Sequence, residues 1–85
     1  MQLHLRYFAG LREALGLSSE YVTFLDVPYT VQDVLTALRE RGGHWAEALA
    51  DVSAFRVAVD QCMGSLSTEV QEGAEVAFFP PVTGG

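Results

Sequence analysis

The run Glu75-Val76-Ala77-Phe78-Phe79-Pro80-Pro81-Val82-Thr83-Gly84-Gly85 puts a bare carboxylate at the tip of a thin arm. Its first five residues read as a buried strand. Pro80 and Pro81 cannot continue that strand, because proline has no amide donor and a fixed φ, and paired prolines favour an extended polyproline path. From Pro80 to Gly85 the chain can reach roughly 20 Å at about 3.3 Å per residue. Gly84 and Gly85 carry no Cβ, which keeps the arm slim and leaves the last carbonyl open to attack. A free carboxylate is inert towards nucleophiles, so its chemistry begins with activation, typically as a mixed anhydride with a nucleotide phosphate; sulfur or an amine can then displace the phosphate. Chain ends are where fraying normally concentrates, yet a strand running straight into a stiff Pro-Pro pair favours a working tail.

No other group competes with that carboxylate. His4, His44 and Cys62 lack metal-ligand spacing, and a zinc site needs three or four ligands, so no metal is expected. Gly42-Gly43 follows a helical stretch, whereas a phosphate loop precedes one. Two histidines on separate elements support no Ser-His-Asp grouping. Cys62 has no neighbouring cation in sequence to lower its pKa and reads as an ordinary small side chain. The acidic residues are scattered, as on a solvated face. The chain therefore has no activating machinery of its own, binds no cofactor, and must offer its tail to another protein's site.

The 85 residues suffice for one small domain, and 49% hydrophobic with 19% charged residues is the composition of a folded chain. No apolar run approaches the roughly 20 residues that span a bilayer, and the start of the chain lacks a signal-peptide pattern. A single cysteine points to a reducing, cytoplasmic setting. A net charge of −6 disfavours nucleic acid and anionic membranes and suits a partner with a basic docking face. All five cations are arginines, so the tail cannot be joined to a lysine of another copy.

The elements that would hold the tail follow in order. Leu3, Leu5 and Tyr7 alternate with His4, Arg6 and Phe8, predicting a half-buried strand over 3–8. Leu11, Ala14 and Leu15 predict a short helix that stops at Gly16. Glu20 to Val27 predicts a second strand closed by Pro28. Thr30 with Asp33 resembles a capping box, and Val31, Val34, Leu35 and Leu38 form the apolar stripe of the main helix, ended by Gly42-Gly43. Trp45, Ala48 and Leu49 mark a shorter helix, with Trp45 covering the edge of the core. Phe55, Val57 and Val59 predict a third strand, residues 60–64 a turn, Ser65 to Thr68 a weak strand, and Glu75 to Phe79 the last. The expected class is α+β, with a mixed sheet, one main helix across a face and a protruding C-terminal tail.

This order resembles the β-grasp, ubiquitin-like sulfur carriers, with residues 1–79 as the β-grasp domain and 80–85 as the tail. Gly-Gly alone is shared with thiamine-pathway carriers and protein modifiers. Phe78-Phe79-Pro80-Pro81-Val82-Thr83-Gly84-Gly85 is similar, more specifically, to the end of molybdopterin synthase small subunits, as are Arg12-Glu13, Val59-Asp60-Gln61 and Gly73-Ala74-Glu75-Val76-Ala77. Asp60 stands where many of those relatives have Asn. The resemblance implies that a separate ATP-dependent, ubiquitin-activating-like enzyme adenylates Gly85 and that a sulfur donor protein turns the adenylate into a thiocarboxylate. It further implies that Pro80, Pro81, Val82, Thr83 and Gly84 thread into the large subunit, which holds the catalytic acids and bases. There the sulfur passes to cyclic pyranopterin monophosphate in molybdenum cofactor biosynthesis. Strand parity puts Phe8 and Phe79 on the face opposite the core; with Met63 and Arg12 they are the expected partner interface, ringed by acidic surface. A carrier for another pathway, or a ubiquitin-like modifier or binding module, remains the alternative.

Overall fold

The computed structural model describes residues 1–25 and 30–81. The tail residues Val82, Thr83, Gly84 and Gly85, and the predicted strand end at Val27-Pro28, lie outside the described residues.

The first strand, β1 (Gln2–Tyr7), buries Leu3, Leu5 and Tyr7 and turns Gln2, His4 and Arg6 outward, as the alternation predicts. Phe8 falls just beyond it as the extended N-cap of α1 (Ala9–Leu15). That helix closes on Gly16, whose φ of 79° is the left-handed conformation glycine tolerates and whose N–H donates to the Arg12 carbonyl. β2 (Ser19–Thr23) then runs antiparallel to β1, pairing Leu3 with Val22 and His4 with Tyr21.

The main helix, α2 (Val31–Arg39), starts at a true capping box. Thr30 Oγ1 accepts from the Asp33 amide, and the Thr30 amide donates to Asp33 Oδ2 at 3.1 Å. Val31, Val34, Leu35 and Leu38 are fully buried against the sheet, each contributing about 1.5–3 kcal/mol of transfer free energy. α3 (Gly43–Ala48) is the predicted shorter helix. A single 3-10 turn, Val52–Ala54, leads into β3 (Arg56–Val59).

The weak strand expected at Ser65 to Thr68 is not there. The short fourth strand is β4 (Cys62–Met63), paired with β3. Asp60 and Gln61 both take positive φ, 51° and 68°, as a tight hairpin twisted like its strands requires. Cys62 and Met63 thereby pair at once, while residues 65–68 close on themselves. The Thr68 amide donates to the Ser65 carbonyl and the Ser65 amide to Thr68 Oγ1. Gly64 is needed there, since a Cβ would lie 2.9 Å from Thr68 Oγ1.

The last strand, β5 (Glu75–Phe79), slots between β1 and β3, giving the order β2-β1-β5-β3-β4. It is parallel to β1 and antiparallel to β3. The strand that leads into the tail is thus the centre of the sheet. All three helices lie in the sequence between β1 and β3, and α2 packs its apolar stripe into the core formed by Leu3, Leu5, Val76 and Phe78. Among the described residues no helix is long and apolar enough to cross a membrane.

Candidate functional site

The tail leaves the sheet at a point fixed from both sides. Tyr7 pairs with Phe78 and Arg56 with Phe79, and the Phe8 amide donates to the Phe78 carbonyl at 3.1 Å. Pro80 and Pro81 follow outside the strand, as their missing donors dictate.

Under the root lies an aromatic cluster. Phe78 is fully buried, stacked on Tyr7 at 6.1 Å between ring centroids and edge-on to Phe55 at 5.9 Å. Tyr7 in turn meets Trp45 edge-on at 5.5 Å. A polar latch ties this cluster to β2 and to the turn that follows α2. The Tyr7 hydroxyl donates to Glu20 Oε2 at 2.8 Å, and Arg41 grips the same carboxylate with two hydrogen bonds of 2.8 and 3.1 Å. The Arg41 guanidinium also lies 4.3 Å from the Trp45 ring centroid, a favourable cation–π position. Trp45 is the edge cover expected of it, and also one wall of the latch. Glu20, expected on a solvated face, is instead its hub. Arg41 and Trp45 are near neighbours in sequence, but only the pairing of β2 with β1 and the packing of the α2–α3 segment on them bring Tyr7 and Glu20 to that pair.

Burial, reinforced by the bond to the Glu20 carboxylate, holds the Tyr7 phenol pKa well above its ordinary value of 10.0. The neutral phenol is therefore favoured by folding, so its contribution is complete below about pH 10 and is lost at higher pH as the folded phenol ionises. Tyr7→Phe is expected to cost about 1.5–3 kcal/mol, the range for a hydrogen bond to a charged group, and to flatten the alkaline limb of stability. Urea unfolding of both proteins at neutral and alkaline pH would measure each effect.

The outer face of the sheet is arranged in rows by the strand register. Nearest the tail come Phe8, Phe79 and Arg56; the next row holds Ser19, Arg6, Ala77, Ala58 and Met63; then come Tyr21, His4 and Glu75. Parity is as expected: Phe79 lies opposite the buried Val76 and Phe78. Phe8 shares the face of Arg6, whose guanidinium sits 4.9 Å from its ring centroid. Both phenylalanines, expected to be exposed, are half-buried, because flanking arginine and neighbouring strands shield them. Met63 is 68% exposed and joins them across Ala77 and Ala58.

Among the described residues the strands bring no carboxylate into the part of this patch nearest the tail, although Glu13 is exposed on the adjoining helix α1. In the two rows nearest the tail, the ionisable groups among the described residues are Arg6 and Arg56, and Arg12 is exposed on the adjoining helix α1. On this face carboxylates begin only at the row of Glu75, which lies 3.5 Å from Arg6 Nη1. Asp60 braces that far end, with its Oδ1 accepting from the Glu75 amide at 3.0 Å. Only an acceptor is required there, which the carbonyl of an Asn would supply equally; the departure at Asp60 is therefore mild.

Cys62 is exposed on β4 beside the turn, not in it, and pairs with Val59. Val59 pairs with Val76, three residues before Phe79. The thiol therefore belongs to the end of the sheet away from the tail root. Among the described residues no group of three or more His, Cys, Asp and Glu could hold a metal ion. An open cleft of about 230 Å³ lies beside the root, lined by Val52, Phe55, Val57 and Leu66 with Arg56 at its lip.

A mixed sheet gripping a central helix, with its middle strand running out into Pro-Pro, is the ubiquitin-like β-grasp architecture. Within that architecture the chain belongs to the ThiS family, whose model matches residues 5–85. It is 37% identical over 83 residues to a Haemophilus influenzae protein named molybdopterin synthase sulfur carrier subunit, covering 98% of this chain and 99% of that one. It is 39% identical over 79 residues to the Escherichia coli protein of the same name, covering 93% and 94%. A Haloferax volcanii protein named small archaeal modifier protein 3 is 32% identical over 93 residues, with full coverage of both chains. Among solved structures, one of a Haloferax volcanii protein superposes with a TM-score of 0.79 at 32% identity, covering 100% of this chain and 87% of that one. The fold also recurs, with a TM-score of 0.66 at 19% identity and full coverage of both chains, in a Helicobacter pylori complex of subunits 1 and 2 of molybdopterin-converting factor.

Proposed function

We propose that this chain is the sulfur carrier subunit of a molybdopterin synthase. A separate ATP-dependent enzyme adenylates the Gly85 carboxylate, with pyrophosphate leaving. Sulfide-level sulfur delivered by a sulfur donor protein then displaces AMP, leaving a thiocarboxylate. The charged carrier docks through the face bearing Phe8, Met63 and Phe79, with Arg12 beside it, on the large synthase subunit. Residues Pro80 to Gly84 thread into that subunit, and the thiocarboxylate gives its sulfur to cyclic pyranopterin monophosphate while water takes the acyl carbon and restores the Gly85 carboxylate. Each product needs two sulfurs, so the carrier is recharged and returns. The chain itself contributes the acyl group, a rigid root and a docking face; acids, bases and nucleotide binding belong to its partners, and the setting is the cytoplasm.

The observation that carries this reading is likeness at 37% and 39% identity, over nearly the whole chain, to two relatives that bear this name. The aromatic anchor under the root supports it physically: a tail that must enter a narrow site benefits from a base that does not yield. The test is reconstitution of the thiocarboxylated protein with the large subunit and cyclic pyranopterin monophosphate. Molybdopterin should form in proportion to the thiocarboxylate supplied, and its absence would refute the assignment.

Cys62 has no part in this route. Cys62→Ala is expected to keep full sulfur-transfer activity, measured as molybdopterin formed per carrier. Loss of activity at an unchanged melting temperature would make the thiol the carrier or a relay.

The full-length likeness to a relative named as a modifier favours a second reading, in which the activated tail forms amides with lysines of other proteins. Amide-linked Gly85 in digests of cell extract would support it. A sulfur carrier for another pathway, such as thiamine biosynthesis, would share the thiocarboxylate and fail in the molybdopterin assay.

A further inference from the structure

The outer face of the sheet narrows, towards the tail, to apolar side chains and two guanidinium groups. Arg6 stands beside Ala77, and Arg56 beside Phe79, on opposite sides of the central strand. Their placement differs from that of two other arginines, which the fold uses internally. Arg41 is bound by Glu20, and Arg39 Nε donates to the Leu49 carbonyl at 2.7 Å. Arg56 is exposed and donates a hydrogen bond to the adjacent Phe55 carbonyl; among the described residues no carboxylate pairs with it. Arg6 is 42% exposed and touches Glu75 only at 3.5 Å. On a chain of net charge −6, the two sheet rows nearest the tail root thus carry two arginines and, among the described residues, no carboxylate.

A partner that covers Phe8 and Phe79 must also cover or fringe these two groups. Removing a guanidinium from water without a counter-charge costs several kcal/mol. A carboxylate offsets that cost best, since the planar fork of arginine matches its two oxygens. We propose that Arg6 and Arg56 form a clamp that selects a protein partner presenting carboxylates on either side of the groove that receives the tail. The inference rests on the carrier reading above and deepens it. It reverses the partner charge that net charge alone implies: association is guided by the local arginines against the overall repulsion.

The experiment measures binding to the purified large subunit of molybdopterin synthase from the same organism, by calorimetry at two salt concentrations. Arg6→Gln and Arg56→Gln are compared with the control Gln71→Glu, a substitution at an exposed site in the loop before β5. Each of the three changes net charge by one, from −6 to −7, so net-charge effects cancel in the comparison. Each arginine variant should bind about tenfold more weakly, as for loss of one member of a close interfacial charge pair. The control should bind like the parent, and the double variant should show a smaller loss of affinity with salt. Thermal unfolding checks that all variants are folded; Arg56, which among the described residues pairs with no carboxylate, gives the cleanest arm. Arginine variants that match the control, or bind more tightly than the parent, overturn the clamp alone. A parent protein that does not bind the large subunit overturns the clamp and the proposed function together.

Discussion

Removing Gly85 is expected to abolish sulfur transfer and leave the melting temperature unchanged. The packed structure explains the second half of that statement. Among the described residues Phe78 is the last that is fully buried, and β5 ends at Phe79. Gly85 lies six residues beyond Phe79 in the sequence, so its deletion is expected to spare the core. The first half follows from geometry at the far end: losing one residue withdraws the carboxylate by about 3.3 Å, and a misplacement of even about 1 Å can cost roughly a hundredfold in rate. It also replaces Gly-Gly with Thr-Gly, setting a β-branched side chain next to the reacting carbonyl. Adding one residue after Gly85 should be equally damaging. Molybdopterin formation with the large subunit measures the loss, and calorimetry the stability; a Gly85 deletion that still makes molybdopterin would contradict the tail mechanism.

Phe79→Ala is expected to weaken binding to the large subunit tenfold or more with little loss of stability, whereas Phe78→Ala should unfold the protein. The two residues are neighbours on opposite faces of one strand. Phe78 fills the core between Tyr7 and Phe55, and truncating a buried Phe costs about 3–5 kcal/mol, much of the stability of a small domain. Phe79 is half-buried on the outer face beside Arg56. An apolar anchor at the centre of an interface contributes roughly 2 kcal/mol or more, and each decade of affinity is about 1.4 kcal/mol. Titration of both variants against the large subunit, alongside thermal melts, separates the outcomes. A Phe79→Ala protein that unfolds instead of unbinding would place that ring in the core and end its role as a contact.

The framework was legible because its signals are local. Alternation at Leu3, Leu5 and Tyr7, the stripe from Val31 to Leu38 and the Thr30–Asp33 cap each sit within a few residues, and each formed as read. The errors arose where a non-local pairing decided the outcome. Ser65 to Thr68 has strand-like composition, but Asp60 and Gln61 turn the chain so tightly that Cys62 and Met63 take the edge position first. The latch of Tyr7, Glu20 and Arg41 has no one-dimensional trace, since it depends on the register of β1 with β2. Net charge is blind to placement for the same reason: it averages over a surface on which the register sets Arg6 and Arg56 nearer the tail root than Glu75 and Asp60.

The most direct test of the central claim is the intact mass of the protein isolated from cells that make it, followed by fragmentation to locate any change. The account predicts a population heavier by the exchange of one oxygen for sulfur, with the sulfur confined to Gly85 and consumed when the large subunit and cyclic pyranopterin monophosphate are added. Sulfur found on Cys62, or a terminus that stays an ordinary carboxylate while molybdopterin is made, would contradict it.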